Sequence, residues 1–152
     1  MITVDEYLDY CDVALDGFAA IVRQLGDDLV NVRVDAPGSN TAAGLVAHVV
    51  GVMGYWASTV NRGIVIPRDR DAEFTTTGTV DELLDLLAAG RTRFHEDARA
   101  AAPRERPANP PAADPDFGDT TQGEVLLHVY EELAQHHGQL EVTRDVLLAR
   151  RG

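Results

Sequence analysis

An all-α fold is the class the sequence predicts, in the form of an antiparallel four-helix bundle. Three observations carry it. Apolar residues recur at three- and four-residue steps through four separate stretches, Thr-x-x-Glu capping boxes open two of them, and no segment alternates convincingly enough to be a strand. A chain of 152 residues with 45% hydrophobic content reads as a single domain over residues 1–152, long enough to bury its own core.

The first helix is expected over about residues 4–30, where Leu8, Cys11, Leu15, Phe18, Ile21, Val22 and Leu25 mark one face. Asp35-Ala-Pro37-Gly38-Ser39 reads as a turn, with Ser39 or Asn40 as the N-cap of a second helix over about residues 41–61. That helix carries Leu45, His48, Val49, Val52, Tyr55, Trp56 and Val60. Its glycines, Gly44, Gly51 and Gly54, lower helix propensity and point to close packing or to room left for a ligand. Over residues 63–78 the pattern breaks at Pro67, a charged run from Arg68 to Glu73 and three threonines, so a long connection is expected. Thr79-Val-Asp-Glu82 caps a third helix, which continues through Leu83, Leu84, Leu87, Phe94 and Ala98 to about Ala101. Residues 103–119 hold five prolines and form the second long connection, so the long loops follow helices 2 and 3. Thr121-Gln-Gly-Glu124 opens the last helix, which runs to about Leu148. No internal repeat is visible.

In the last helix His128, Glu132 and His136 fall at i, i+4 and i+8, on the side that also carries Val125, Val129, Leu133, Leu140 and Leu147. Polar groups stacked on a core-facing stripe are costly to bury unless something satisfies them, and a divalent metal ion does so. Glu132 and His136, one turn apart, can bite a single ion. His128 and His136 are about 12 Å apart in helical rise, too far to share it. A second helix must supply the remaining ligand, and His48, flanked by Leu45, Val49 and Val52, is the candidate. His48, Glu132 and His136 then make three protein ligands with one position open, the pattern of a catalytic rather than a structural zinc site.

Charge and composition narrow the function. With 13 basic against 25 acidic residues the net charge is -12, which argues against nucleic acid and anionic membranes as partners. No apolar run suggests a membrane span, no basic, apolar leader opens the chain, and the single cysteine, Cys11, fits a reducing cytoplasm. With Tyr7 and Leu15 at i±4, Cys11 reads as a buried small hydrophobe, not a reactive thiol. His128 reads equally as a helper or proton shuttle beside Glu132 and as a polar residue of a pocket wall. His137, about 100° round the helix from His136, is expected to face solvent. Tyr55 and Trp56 are more readily core than the mouth of a pocket, and His95 has no visible partner. No Ser-His-Asp set and no phosphate-cradling glycine loop is found.

The segments Asn40-Thr-Ala-Ala-Gly-Leu45-Val-Ala-His48 and His128-x-x-x-Glu132-x-x-x-His136-x-Gly138-Gln139, with Arg144, resemble the DinB-like superfamily of four-helix metalloproteins. That superfamily includes bacillithiol and mycothiol S-transferases and the metal-binding domain of mycothiol-dependent maleylpyruvate isomerase. The resemblance implies metal ligands at His48, Glu132 and His136, and glutamate at 132 draws the chain toward the isomerase-like branch. A chain ending at Gly152 leaves no room for the isomerase's extra C-terminal domain, so isomerase activity itself is not expected. The leading expectation is a cytoplasmic transferase with one divalent ion, zinc or alternatively nickel, that joins a small thiol to an electrophile. An alanine- and arginine-rich chain without lysine suggests a high-GC genome and hence mycothiol as the thiol. Two alternatives stay open: a hydrolase using metal-activated water, and a non-catalytic metal-binding module. The assembly state, a homodimer included, also stays open.

Overall fold

A computed structural model describes residues 2–111 and 119–150. Among these residues there are five α-helices: α1 (Val4–Leu29), α2 (Ala42–Met53), α3 (Arg70–Glu73), α4 (Val80–Ala100) and α5 (Gln122–Ala149). A π-helical segment, Gly54–Asn61, prolongs α2. No strand occurs among the described residues. The central part of the second expected long loop, 112–118, lies outside them.

The caps explain where the helices begin. Thr3, Thr79 and Thr121 each accept from the backbone N–H three residues on, while Glu6, Glu82 and Glu124 reach back to the cap, closing three capping boxes. At α2 the cap is Thr41, not Ser39 or Asn40. The Thr41 hydroxyl accepts from Gly44 N at 2.9 Å, whereas the Ser39 hydroxyl donates to the Val34 carbonyl. The connection after the π segment also contains an element too short for any periodic signature: α3 is one turn, capped by Asp69.

α1 packs on α4 and α5; α2 and the π segment pack on the same two helices, and α3 lies against α2. The buried apolar residues form one connected core, centred on Phe18, Leu45, Phe94 and Leu133, each at most 1% exposed. Full burial of a side chain of this size stabilises by about 1.5–3 kcal/mol. Cys11 is fully buried, as its spacing implied. Ala42–Asn61, with mean hydropathy 1.3, does have the length and composition of a membrane span, contrary to expectation, but 72% of that stretch is buried inside the fold as a core helix. Its single imidazole, His48, is carried into that apolar interior.

Candidate metal centre

His48, Glu132 and His136 converge. One ligand atom from each lies within 4.8 Å of the other two. His48 Nε2 is 3.5 Å and His136 Nε2 3.2 Å from the same oxygen, Glu132 Oε2, and the two imidazoles meet edge to face with centroids 4.6 Å apart. α5 supplies Glu132 and His136 because residues four apart stack on one helix face. α2 supplies His48 because it packs against that face.

The other ring nitrogens fix the tautomers. His48 Nδ1 lies 2.9 Å from Glu73 Oε2, and His136 Nδ1 lies 2.9 Å from the Gln139 side-chain oxygen. Carboxylate and amide oxygens accept, so both Nδ1 atoms donate and each Nε2 turns its lone pair inward. Two imidazole lone pairs then face one carboxylate oxygen. That arrangement is repulsive unless a proton or a cation sits between them, and the donor set suits a divalent ion. Without an ion the shared proton serves: the hydrogen bond to His136, then that to His48, holds Glu132 well below the usual carboxylate range, and Glu132 in turn raises His136.

Behind His48 stands Glu73, which the sequence placed in a featureless charged connection. It is 7% exposed and paired with Arg68 through two hydrogen bonds, at 2.6 and 3.0 Å. A carboxylate behind a metal-binding histidine fixes the ring and strengthens it as a ligand. Gly51 makes this geometry available: a Cβ there would overlap Glu73 Oε1 and come within 2.8 Å of its Cδ. Of the two readings of the α2 glycines, close packing or room for a ligand, close packing holds at Gly51, and the group packed against it is Glu73. Phe74 stacks on His48 with centroids 4.9 Å apart and covers it from the same connection. The one hint of Glu73 in the sequence is Gly51, which stands three residues from a buried histidine.

A cavity of about 460 Å³ opens beside the cluster, lined among others by His48, Glu132, His128, Tyr55, Trp56 and Arg70. Tyr55 and Trp56 are half-buried and line this wall, and Trp56 also packs against the core; their i+7 and i+8 spacing from His48 already set them on its face. His128 also lines the wall. Its Nε2 is 3.7 Å from Glu132 Oε1 and its ring stands edge to face on Trp56.

Two expectations about the remaining histidines are corrected. His137 does not face solvent; its ring lies over Gly17 and 6.0 Å from the Phe18 ring, because α1 occupies the side of α5 adjacent to the cluster. His95 has a partner, Asp12 on α1, at 2.8 Å. Both contacts hold helices together and neither reaches the cavity.

Over residues 6–148 the chain matches the family model described as mycothiol-S-transferase. No curated protein matches it. Among solved structures, a conserved protein from Enterococcus faecalis superposes with a TM-score of 0.75 over 98% of this chain and 99% of that one. At 15% identity that likeness speaks for the fold alone. With the family model spanning nearly the whole sequence, the chain belongs to the mycothiol S-transferase family, within the DinB-like superfamily.

Proposed function

We propose that this protein is a metal-dependent S-transferase that joins mycothiol, or a small thiol of its kind, to an electrophile. The carrying observation is the convergence of His48, Glu132 and His136 beside a cavity large enough for a small substrate. Zinc, or alternatively nickel, held by these three residues would supply an open position that favours the thiolate form of the cosubstrate, the reactive one. Glu73 and Gln139 orient the two imidazoles, and Arg68 holds Glu73 in place. His128, at the cavity wall and within reach of Glu132 but outside the cluster, takes the proton that the thiol gives up and passes it to solvent. Tyr55 and Trp56 shelter the reacting sulfur from water on the open side.

The long helices are read here as an antiparallel four-helix bundle and a single domain, supported by the packing of α1 and α2 on the same pair, α4 and α5. Cytoplasmic residence agrees with the lone buried Cys11, and the charge of -12 speaks against nucleic acid and anionic membranes as partners. A homodimer is a matter for sedimentation.

The test is conjugation of mycothiol to an activated haloarene near neutral pH, with and without chelator. The expected result is turnover that chelator abolishes and zinc restores, slowed in His128→Ala without loss of metal. Full activity in metal-free protein overturns the proposal. Hydrolysis of an ester or amide without any thiol would instead favour metal-activated water.

A further inference from the structure

The cavity beside the cluster is lined by a cation that has no ion-pair partner among the described residues. Of the two arginines lining it, Arg68 is committed: it holds Glu73 through two hydrogen bonds and lies 5.7 Å from the centre of the Tyr55 ring. Arg70 is not. Among the described residues no ion pair or hydrogen bond engages its guanidinium, although acids outnumber bases 25 to 13 in this chain. Its sequence neighbour Asp69 is occupied in accepting from the Ala72 N–H.

Part of the lining is aromatic. Tyr55 and Trp56 meet edge to face with centroids 5.1 Å apart, and both line the same space as Arg70. A guanidinium presents a planar fork of donors that matches a carboxylate, and aromatic walls favour a flat, polarisable body. His48 and Glu132 mark where the sulfur belongs, and Arg70, Tyr55 and Trp56 line the same cavity and are left for the other reactant.

We propose that Arg70, with the Tyr55 and Trp56 wall, recognises the electrophile, and that the electrophile is a planar aromatic or conjugated compound bearing a carboxylate. This rests on the S-transferase reading of the same site. With a chloroarene, the thiolate sulfur forms a bond to the ring carbon, the carbon–chlorine bond breaks, chloride leaves with the electron pair, and the thiol proton goes to solvent. No oxidant or reductant enters.

Trp56 is the only tryptophan in the chain and lines the cavity, so its fluorescence reports occupancy directly. The protein is titrated with a dinitrobenzoate and with dinitrobenzene, neither of which carries a leaving group, once zinc-loaded and once with chelator. The carboxylate compound should bind at least about tenfold more tightly, about 1.4 kcal/mol, in both states. Arg70→Ala should remove that advantage and Arg70→Lys regain part of it. Equal affinities in the wild type, an advantage that survives Arg70→Ala, or one that disappears with chelator would overturn the assignment. In turnover, the preference in kcat/KM for a chloro-dinitrobenzoate over the matching chloro-dinitrobenzene should shrink about tenfold in Arg70→Ala, chiefly through KM. N-acetylcysteine and its amide serve as matched thiols. If Arg70→Ala alters discrimination between those two and not between the arenes, the carboxylate belongs to the thiol and the assignment fails. If neither arene is ever conjugated, the S-transferase reading falls while the fluorescence titration still decides the role of Arg70.

Discussion

Gly51→Ala adds one methyl group on α2 and touches none of the three candidate ligands, yet it should weaken metal binding. The new Cβ overlaps Glu73 Oε1 and lies 3.1 Å from Arg68 Nε, so the carboxylate cannot keep its place. Two effects oppose each other. Alanine favours the helix over glycine by about 1 kcal/mol. Dislodging Glu73 strips His48 Nδ1 and a largely buried Arg68 of their partner, and breaking a buried pair costs about 3–5 kcal/mol. The second term wins, leaving a net destabilisation of about 2–4 kcal/mol. For a domain of this size that lowers the melting temperature by roughly 4–16 °C. Loss of the orienting carboxylate should also reduce zinc affinity by about 10–100-fold. Melting the chelated protein isolates the effect on the fold, and competition with a chromophoric chelator gives the effect on the metal. A melting temperature that rises would mean that Glu73 relaxes freely and only helix propensity is felt. A lower melting temperature with unchanged zinc affinity would reduce Glu73 to a structural ion pair and refute its action on the centre.

His48→Ala, Glu132→Ala and His136→Ala should each empty the site by elemental analysis. His137→Ala should keep the ion and lose about 1–2 kcal/mol through its packing on Gly17 and Phe18; equal metal loss in His137→Ala and His136→Ala would show the wrong face of α5 was chosen. Chelation should lower the melting temperature, by about 2.7 kcal/mol of stability when free zinc had stood at about a hundred times its Kd, and a curve indifferent to zinc would end the metal assignment. In the chelated protein Glu132 raises His136, so the stability from that pair is fully present below the ordinary imidazole value and is lost as pH rises through the higher folded one. Zinc added near pH 6 should therefore release a proton to an indicator dye, and progressively less as the pH rises through the raised folded value. Burial pushes the Cys11 thiol up to about 11, which leaves roughly one thiolate in a thousand at pH 8. Cys11 should thus react with a disulfide reagent only after denaturation, and Cys11→Ser should leave conjugation unchanged.

Most of the helical frame was legible because it rests on local chemistry. The three-four spacing of Leu8, Phe18, Leu87 and Leu133 marks buried faces, and Thr79-Glu82 and Thr121-Glu124 fix helix starts to the residue. Thr3-Val-Asp-Glu6 carries the same signature and opens α1 in the same way. The π segment and α3 were not legible, since neither a widened turn nor a single turn leaves a periodic mark. The cluster was legible because two ligands share one helix face and a third histidine stands on an apolar one. His137 was misjudged for a physical reason: α5 packs on α1 as well as on α2, so the side next to the cluster is covered and 100° of rotation leads to another interface. His95 and Asp12 are 83 residues apart, and no local pattern connects them.

Glu73 escaped notice for the same reason, and its position explains why His48 can exist at all. Ala42–Asn61 is apolar enough to pass for a membrane span, and His48 is the one imidazole in it, 3% exposed. Burying a polar ring without partners costs about 1–3 kcal/mol for each unsatisfied group. Both nitrogens must therefore be answered from outside the helix, in opposite directions. Glu73 answers Nδ1 from the connection before α4, and α5 answers Nε2 with Glu132. A neutral imidazole that donates at Nδ1 has only a lone pair at Nε2, and an ionised carboxylate has no proton to offer it. The fold thus accepts a histidine in its core only in company with a proton or a cation at the far nitrogen. Substituting glutamine for Glu132 separates these cases: its amide N–H can donate to Nε2 directly, so Glu132→Gln should satisfy His48 without any ion. Chelator-treated Glu132→Gln should then melt no lower than chelator-treated wild type, while zinc no longer raises its melting temperature. If zinc still stabilises that variant as it does the wild type, the ion is held elsewhere and the convergence of the three side chains has another cause.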